Sequence, residues 1–152
     1  MIRFPEPRVT FDRITDLIYL GSRIASLDDY HRLKAHGVRA CVDMKQEGAD
    51  PWTFDAFLWL PTVDHEAPSQ GHLRMGIAFL RQCEQAQMPV FVHCMAGVGR
   101  SSTLVLAHLL TGQFAGQEAE AALDFLCERR ACVDPTSRQI AAAVEAARGF
   151  KD

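Results

Sequence analysis

The stretch that decides the fold is Val90-Phe91-Val92-His93-Cys94-Met95-Ala96-Gly97-Val98-Gly99-Arg100-Ser101-Ser102-Thr103. Pro89 separates Val90-Phe91-Val92 from what precedes it, and three apolar β-formers in a row read as a buried central strand. A loop with two glycines follows, and the sequence predicts a helix from Ser101 to Leu110. In open α/β sheets ligands bind beyond the carboxyl ends of strands, beside helix N-termini. The order strand, glycine loop, helix therefore places a ligand at residues 94–101.

Working outward, Leu17 to Leu20 reads as a short strand ending at Gly21. Asp28 is predicted to cap a helix that Gly37 stops after His36. Val38 to Asp43 reads as a buried strand, Asp50 to Ala56 as a helical turn, and Phe57 to Leu60 as a strand closed by Pro61. Leu73, Ile77, Leu80 and Cys83 recur at helical spacing between Gly71 and Gln87. Two helices are expected after the central one, Gln117 to Arg130 with Leu123, Leu126 and Cys127 inward, and Pro135 to Arg148 with Pro135 in its first turn. Strands mixed with helices, and a helical last third, predict an α/β fold with a small, mainly parallel central sheet flanked by helices. No linker or repeat interrupts the chain, so residues 1–152 read as one domain.

Composition narrows the function. The 152 residues are 48% apolar and 23% charged, as in ordinary globular proteins. A net charge of -3 without a basic run gives no reason to expect nucleic-acid binding, so an anion must be held by local geometry. Met1 to Pro7 lacks the apolar stretch of a signal peptide, and Leu104 to Leu110 is too short to span a bilayer. Five cysteines, at 41, 83, 94, 127 and 132, form no C-x-x-C pair and suit a reducing, cytoplasmic setting. No ligand cluster for a metal is visible, and no cofactor is expected.

The backbone amides of Met95, Ala96, Gly97, Val98, Gly99 and Arg100 can converge on one centre with the first donors of the helix, which suits a phosphate dianion. Gly97 and Gly99 permit positive φ and close approach. Arg100 offers a planar fork for two phosphoryl oxygens. Helix N-termini and cationic neighbours favour thiolates, so Cys94 is predicted to attack the phosphorus of a bound ester. Ser101 is placed to donate a hydrogen bond to that sulfur, and His93 to orient the loop.

His93 to Thr103 resembles the signature of the protein tyrosine and dual-specificity phosphatase superfamily: His-Cys, five residues, Arg, then Ser or Thr. Ser101-x-Thr103 is most similar to the dual-specificity branch, although Gly99 stands where that branch often has serine. Ile14 to Gly21 and Leu33 to Val38 are similar to the opening strand and first helix of its small members. The resemblance implies their α/β fold and a metal-free, two-step transfer through a phosphocysteine.

It also implies a proton donor on a loop before the cysteine, often in an Asp-x-x-x-Pro pattern. Asp64, 30 positions before Cys94 and four before Pro68, matches; Glu66 is its rival and His65 lies between them. Asp43 reads as a cap or turn residue, Gln139 as a surface residue or a water-positioning glutamine, and Cys41 as a core residue or an oxidative partner of Cys94. Trp52, Phe54, Phe57 and Trp59 read as packing.

Without lysines in the loop, the sequence favours phosphotyrosine, phosphoserine and phosphothreonine in proteins over multiply charged lipid headgroups. Ile14 to Gly21 and Asp64 to Pro68 also resemble phosphatases of phosphatidylglycerophosphate, which keeps a phospholipid or other small phosphomonoester as the alternative. A catalytically idle phospho-binding module is the other class of reading, and it fits less well because both Cys94 and Arg100 are kept.

Overall fold

The computed structural model describes residues 8–150, so Met1 to Pro7 lies outside it. In chain order the elements are β1 (Phe11–Arg13), β2 (Ile18–Gly21), α1 (Leu27–Ala35), β3 (Ala40–Lys45), β4 (Ala56–Thr62), α2 (Gln70–Gln85), β5 (Val90–His93), α3 (Arg100–Thr111), α4 (Ala119–Arg129) and α5 (Ser137–Gly149). The strands form one sheet in the order β1-β2-β5-β3-β4. All pairs are parallel except β1 with β2, and β5 is central. The predicted α/β class with a mainly parallel sheet is what the chain adopts.

Side-chain alternation along the strands divides the interior in two. Val90 and Val92 of β5, with Ala40, Val42 and Met44 of β3, enter a large cluster with Leu73, Ile77 and Leu80 of α2 and Leu104 to Ala107 of α3. Phe91 and Cys41 point the other way, onto Leu33 of α1, Val38, Ile24 and Val9. Helix α3 is buried from Arg100 to Leu109 and packs against α2, α4 and α5. A helix enclosed in this way cannot shift freely, so its N-terminus is a fixed point beside the carboxyl end of β5.

Four local expectations fail. The cap of α1 is Ser26, whose hydroxyl accepts from Asp29 N–H at 3.2 Å; Asp28 lies in the first turn. Residues 50–56 form no helical turn. Asp50 is instead fixed by accepting from Ile24 N–H and Lys45 Nζ, while Trp52 and Phe54 pack on the smaller cluster. Pro61 does not end β4, because β4 is an edge strand and a missing N–H costs it no ladder bond. Pro135 precedes α5, which Thr136 caps. Strand β1 was not anticipated at all. Among the described residues no helix is long and apolar enough to cross a membrane.

Candidate active site

The loop from Cys94 to Gly99 is held from outside at each carbonyl between Met95 and Gly99. Met95 O accepts from Arg23 N–H at 3.0 Å, and Ala96 O and Gly97 O accept from Arg130 Nη2 and Nε at 2.8 and 3.1 Å. Val98 O accepts from Ser102 Oγ and Asp134 N–H, and Gly99 O from the Thr103 hydroxyl and amide. A peptide's N–H and C=O point to opposite sides of its plane. Carbonyls tied outward therefore turn the amides of Ala96 to Arg100 inward. The Gly97 amide shows the result, donating to Cys94 Sγ at 3.3 Å. Ser101 Oγ lies 3.1 Å from the same sulfur.

The two glycines are required for different reasons. Gly97 has φ +70, and a Cβ there would stand 2.5 Å from Gly21 O and 2.8 Å from Arg130 Nη2. Gly99 has a negative φ of -118, so the expectation of positive φ fails at that position. Its constraint is space, since a Cβ would meet the Gln139 carboxamide at 3.0 Å.

Arg100 is 1% exposed and its donors divide cleanly. Nη1 donates to Glu47 Oε1 at 2.5 Å and to Thr62 O at 2.8 Å, and Nη2 to Glu47 Oε2 at 3.1 Å. Glu47 thus takes the end-on face of the guanidinium. The side edge keeps one N–H on Nη2 and one on Nε, and Nε is buried with no hydrogen-bond partner among the described residues. Two parallel donors on one edge suit two phosphoryl oxygens. Burial opposes the Arg100 charge, but Glu47, Cys94 and Asp64 more than offset it and raise the guanidinium pKa. The bond from Arg100 likewise holds the Glu47 carboxyl below its ordinary value.

Asp64 follows β4 on the loop to α2, 61% exposed, with Oδ1 3.6 Å from Arg100 Nε. His65, at φ +66, donates its N–H to the same oxygen. The Glu66 side chain is exposed, and it is the Glu66 carbonyl that is held, accepting from Gln139 Nε2 at 3.0 Å. Of the three predicted loop candidates, Asp64 alone forms an ion pair with Arg100.

The model of the dual specificity phosphatase catalytic domain matches residues 18–148. The chain belongs to that family. Dual specificity protein phosphatase 5 of Rattus norvegicus is 30% identical over 130 residues, 80% of this chain and 32% of that protein. Dual specificity protein phosphatase 22-B of Danio rerio is 40% identical over 124 residues, 79% of this chain and 64% of its own length. The chain thus spans less than two thirds of either relative. Among solved structures, a mouse putative dual specificity phosphatase complexed with zinc tungstate superposes with TM-score 0.80 at 19% identity, covering 97% of this chain and 92% of that one. PTPMT1 in complex with PI(5)P superposes at 0.78 with 23% identity, covering 91% and 94%. At such identities the likeness is one of fold.

Three residues of this dual specificity phosphatase domain were not marked by the sequence. Glu47 lies in the turn after β3 and pairs with Arg100, 53 positions away. Arg130, 3% exposed at the end of α4, clamps two loop carbonyls and also bonds Thr10 Oγ1 and Asp12. Lys45 is buried with Nζ at 2.7 Å from Asp43 Oδ2 and 2.9 Å from Asp50 Oδ1. The spacing of Arg130 and Asp134 around the loop carries no local signal.

His93 stacks on Phe91 and its Nδ1 lies 3.3 Å from Cys94 O. Its Nε2 faces Asp43 and Asp50 at 3.8 and 3.6 Å. Burial lowers the His93 pKa below the ordinary imidazole value, against the pull of both carboxylates. Asp43, Asp50 and His93 are close enough to share a cation, and the Lys45 ammonium stands against both carboxylates. Asp43 fills the turn role read from the sequence, its Oδ1 accepting from Lys45 N–H at 2.9 Å and its Oδ2 from Asp50 N–H at 3.1 Å, and it is in addition a buried ion-pair partner of Lys45. Cys41 is a core residue: burial pushes its thiol well above the ordinary value, Asp43 and Asp50 adding to the effect. It lies on the sheet face opposite Cys94, so the oxidative pairing with Cys94 is not supported. Gln139, read as a surface residue, is 1% exposed.

Proposed function

We propose that this domain hydrolyses phosphotyrosine and phosphoserine or phosphothreonine in proteins through a phosphocysteine on Cys94. The observation that carries the reading is the sulfur at the focus of the loop, 3.3 Å from Gly97 N and 3.1 Å from Ser101 Oγ, with the Arg100 donor edge beside it. The Cys94 thiolate attacks phosphorus, an S–P bond forms, and the ester P–O bond breaks. Asp64 gives its proton to the departing oxygen. Water then attacks phosphorus while the Asp64 carboxylate takes its proton; the S–P bond breaks and inorganic phosphate leaves. The Ser101 hydroxyl donates a hydrogen bond to the sulfur, keeping its proton, as the thiolate reforms.

The loop side chains support a protein substrate, since Met95, Ala96 and Val98 add no cation for a second phosphate. A lipid headgroup phosphate is the second reading, favoured by the exposed Met95 and Val63 beside the loop and by the fold shared with PTPMT1. The test is turnover of phosphopeptides beside phosphatidylglycerophosphate, with Cys94→Ser as control and a chelator present. Phosphopeptide turnover that Cys94→Ser abolishes is expected. Turnover of the lipid alone would overturn the protein assignment, and an active Cys94→Ser variant would overturn the mechanism.

A further inference from the structure

Gln139 occupies a junction that neither its surface reading nor a water-positioning role accounts for. It is the third residue of α5, and its backbone N–H donates to Thr136 Oγ1 at 3.1 Å. Its Oε1 accepts from Thr136 N–H at 2.8 Å, completing a capping box. That bond fixes which end of the carboxamide is which, so Nε2 is the end that donates to Glu66 O at 3.0 Å. The same carboxamide lies against Gly99, where a Cβ would stand 3.0 Å from Oε1 and 3.1 Å from Nε2, close enough that the carboxamide would have to give way. One buried group therefore touches the phosphate loop, the start of α5 and the loop that carries Asp64.

Besides the Asp64 ion pair with Arg100 at 3.6 Å, the Asp64 loop has few ties to the rest of the domain among the described residues. Within residues 63–67 the other hydrogen bonds are internal, Glu66 N–H to Val63 O and His65 N–H to Asp64 Oδ1. The bond from Gln139 is the one hydrogen bond that reaches these residues from outside, among the described residues. The chain turns sharply at His65, with φ +66, between Asp64 and the anchored Glu66. Holding the Glu66 carbonyl thus limits where the Asp64 carboxyl can travel.

We infer that Gln139 is a positioning residue for the proton donor, latching the Asp64 loop to the phosphate loop through the Glu66 carbonyl. It rests on the reading of Asp64 as the acid. Proton donation matters for a leaving group that is a poor anion and little for one that is stable as an anion, which gives the test its selectivity.

The experiment measures kcat and KM for an alkyl or unsubstituted phenyl phosphate and for a nitro-substituted aryl phosphate, in the wild type and five variants. Gln139→Ala and the volume-keeping Gln139→Met are expected to lower kcat for the poor leaving group about 10- to 100-fold, a part of the full contribution of a general acid, and to leave the activated ester within about threefold. Thr136→Ala removes the hydroxyl of the capping box and leaves the donor to Glu66 in place. It is expected to lower the unfolding temperature without changing the ratio of the two substrates. Asp64→Asn should show the same selectivity in full, and adding Gln139→Ala to it should cost nothing further on the poor leaving group. A uniform loss on both substrates in both Gln139 variants, with Asp64→Asn selective, overturns the latch. A uniform or absent effect in Asp64→Asn overturns the acid assignment instead.

Discussion

Arg130→Met removes the clamp beneath the phosphate loop while keeping most of the side-chain volume. The wild-type guanidinium serves four acceptors: Gly97 O, Ala96 O, Thr10 Oγ1 and Asp12 Oδ2. Asp12 is 44% exposed and can be solvated when its partner goes, so that pair contributes at most about 1 kcal/mol. The loop carbonyls are different. Each accepts from a charged donor, a bond that contributes about 1.5–3 kcal/mol, and Gly97 is buried so that water does not readily replace Arg130 there. Ala96 is exposed and recovers part of its loss from solvent, which leaves roughly 3 kcal/mol in all. For a chain of this length that lowers the unfolding midpoint by roughly 6–12 °C. The functional consequence is larger than the stability change suggests, because freed carbonyls let the Gly97 and Val98 amides turn away from the sulfur. One misplaced anion-binding donor costs about 10²–10³ in rate. The assay is kcat/KM on an aryl phosphate together with inhibition by inorganic phosphate, with Arg130→Lys beside Arg130→Met. Lysine keeps the charge but cannot span two carbonyls, so it should restore little of either quantity. A destabilised Arg130→Met protein whose kcat/KM and phosphate inhibition stay within about threefold of wild type would refute the reasoning, since the amides would then hold their aim without the clamp.

Glu47→Gln keeps the shape of the Arg100 partner but not its charge, and should lower kcat/KM about tenfold and weaken inhibition by phosphate, the loss of about 1.4 kcal/mol. Because Arg100 depresses the Glu47 pKa, that pair's contribution is present above the ordinary carboxyl value of about 4.3 and is lost as pH falls through the lower folded value, so Glu47→Gln should flatten that acid limb of the stability curve. His93 has the same sign by another route. Its folded pKa is lowered by burial, so the unfolded chain binds the proton first and stability falls as pH drops below about 6.5; His93→Asn should remove that slope in urea melts taken from pH 8 to 5. Gly97→Ala places a methyl 2.5 Å from Gly21 O at φ +70, and should abolish turnover and cost at least 1–2 kcal/mol, roughly the left-handed penalty alone; a variant with wild-type melting and activity would mean the loop carries no such strain.

What the sequence reveals and what it hides follow from how far each interaction reaches. The nucleophile, the loop amides, Arg100 and Ser101 lie within eight consecutive positions, and the strand and helix that flank them have their own periodicity. Backbone geometry then does most of the placing, because a loop that short between a central strand and an enclosed helix has few courses open to it. Asp64 was legible only through resemblance, since an acidic residue on an exposed loop has no local mark of its role. Glu47 and Arg130 were not legible at all. Each is an ordinary charged residue in its own neighbourhood, and each acquires its part only when the fold brings it 53 or 33 positions along the chain to a partner. Strand β1 escaped for a related reason: Phe11-Asp12-Arg13 has no strand pattern of its own and exists as a strand only by pairing with β2. Gln139 is the instructive failure. On an alanine-rich helix it looked solvent-facing, yet the absent side chain at Gly99 is what leaves room for it. The departure from serine at Gly99 and the burial of Gln139 are thus one feature seen from two places in the chain. A serine introduced at Gly99 should therefore push the carboxamide off the Glu66 carbonyl and reproduce the leaving-group selectivity of Gln139→Ala, whereas Gly99→Ser with wild-type selectivity would show that the two positions are independent.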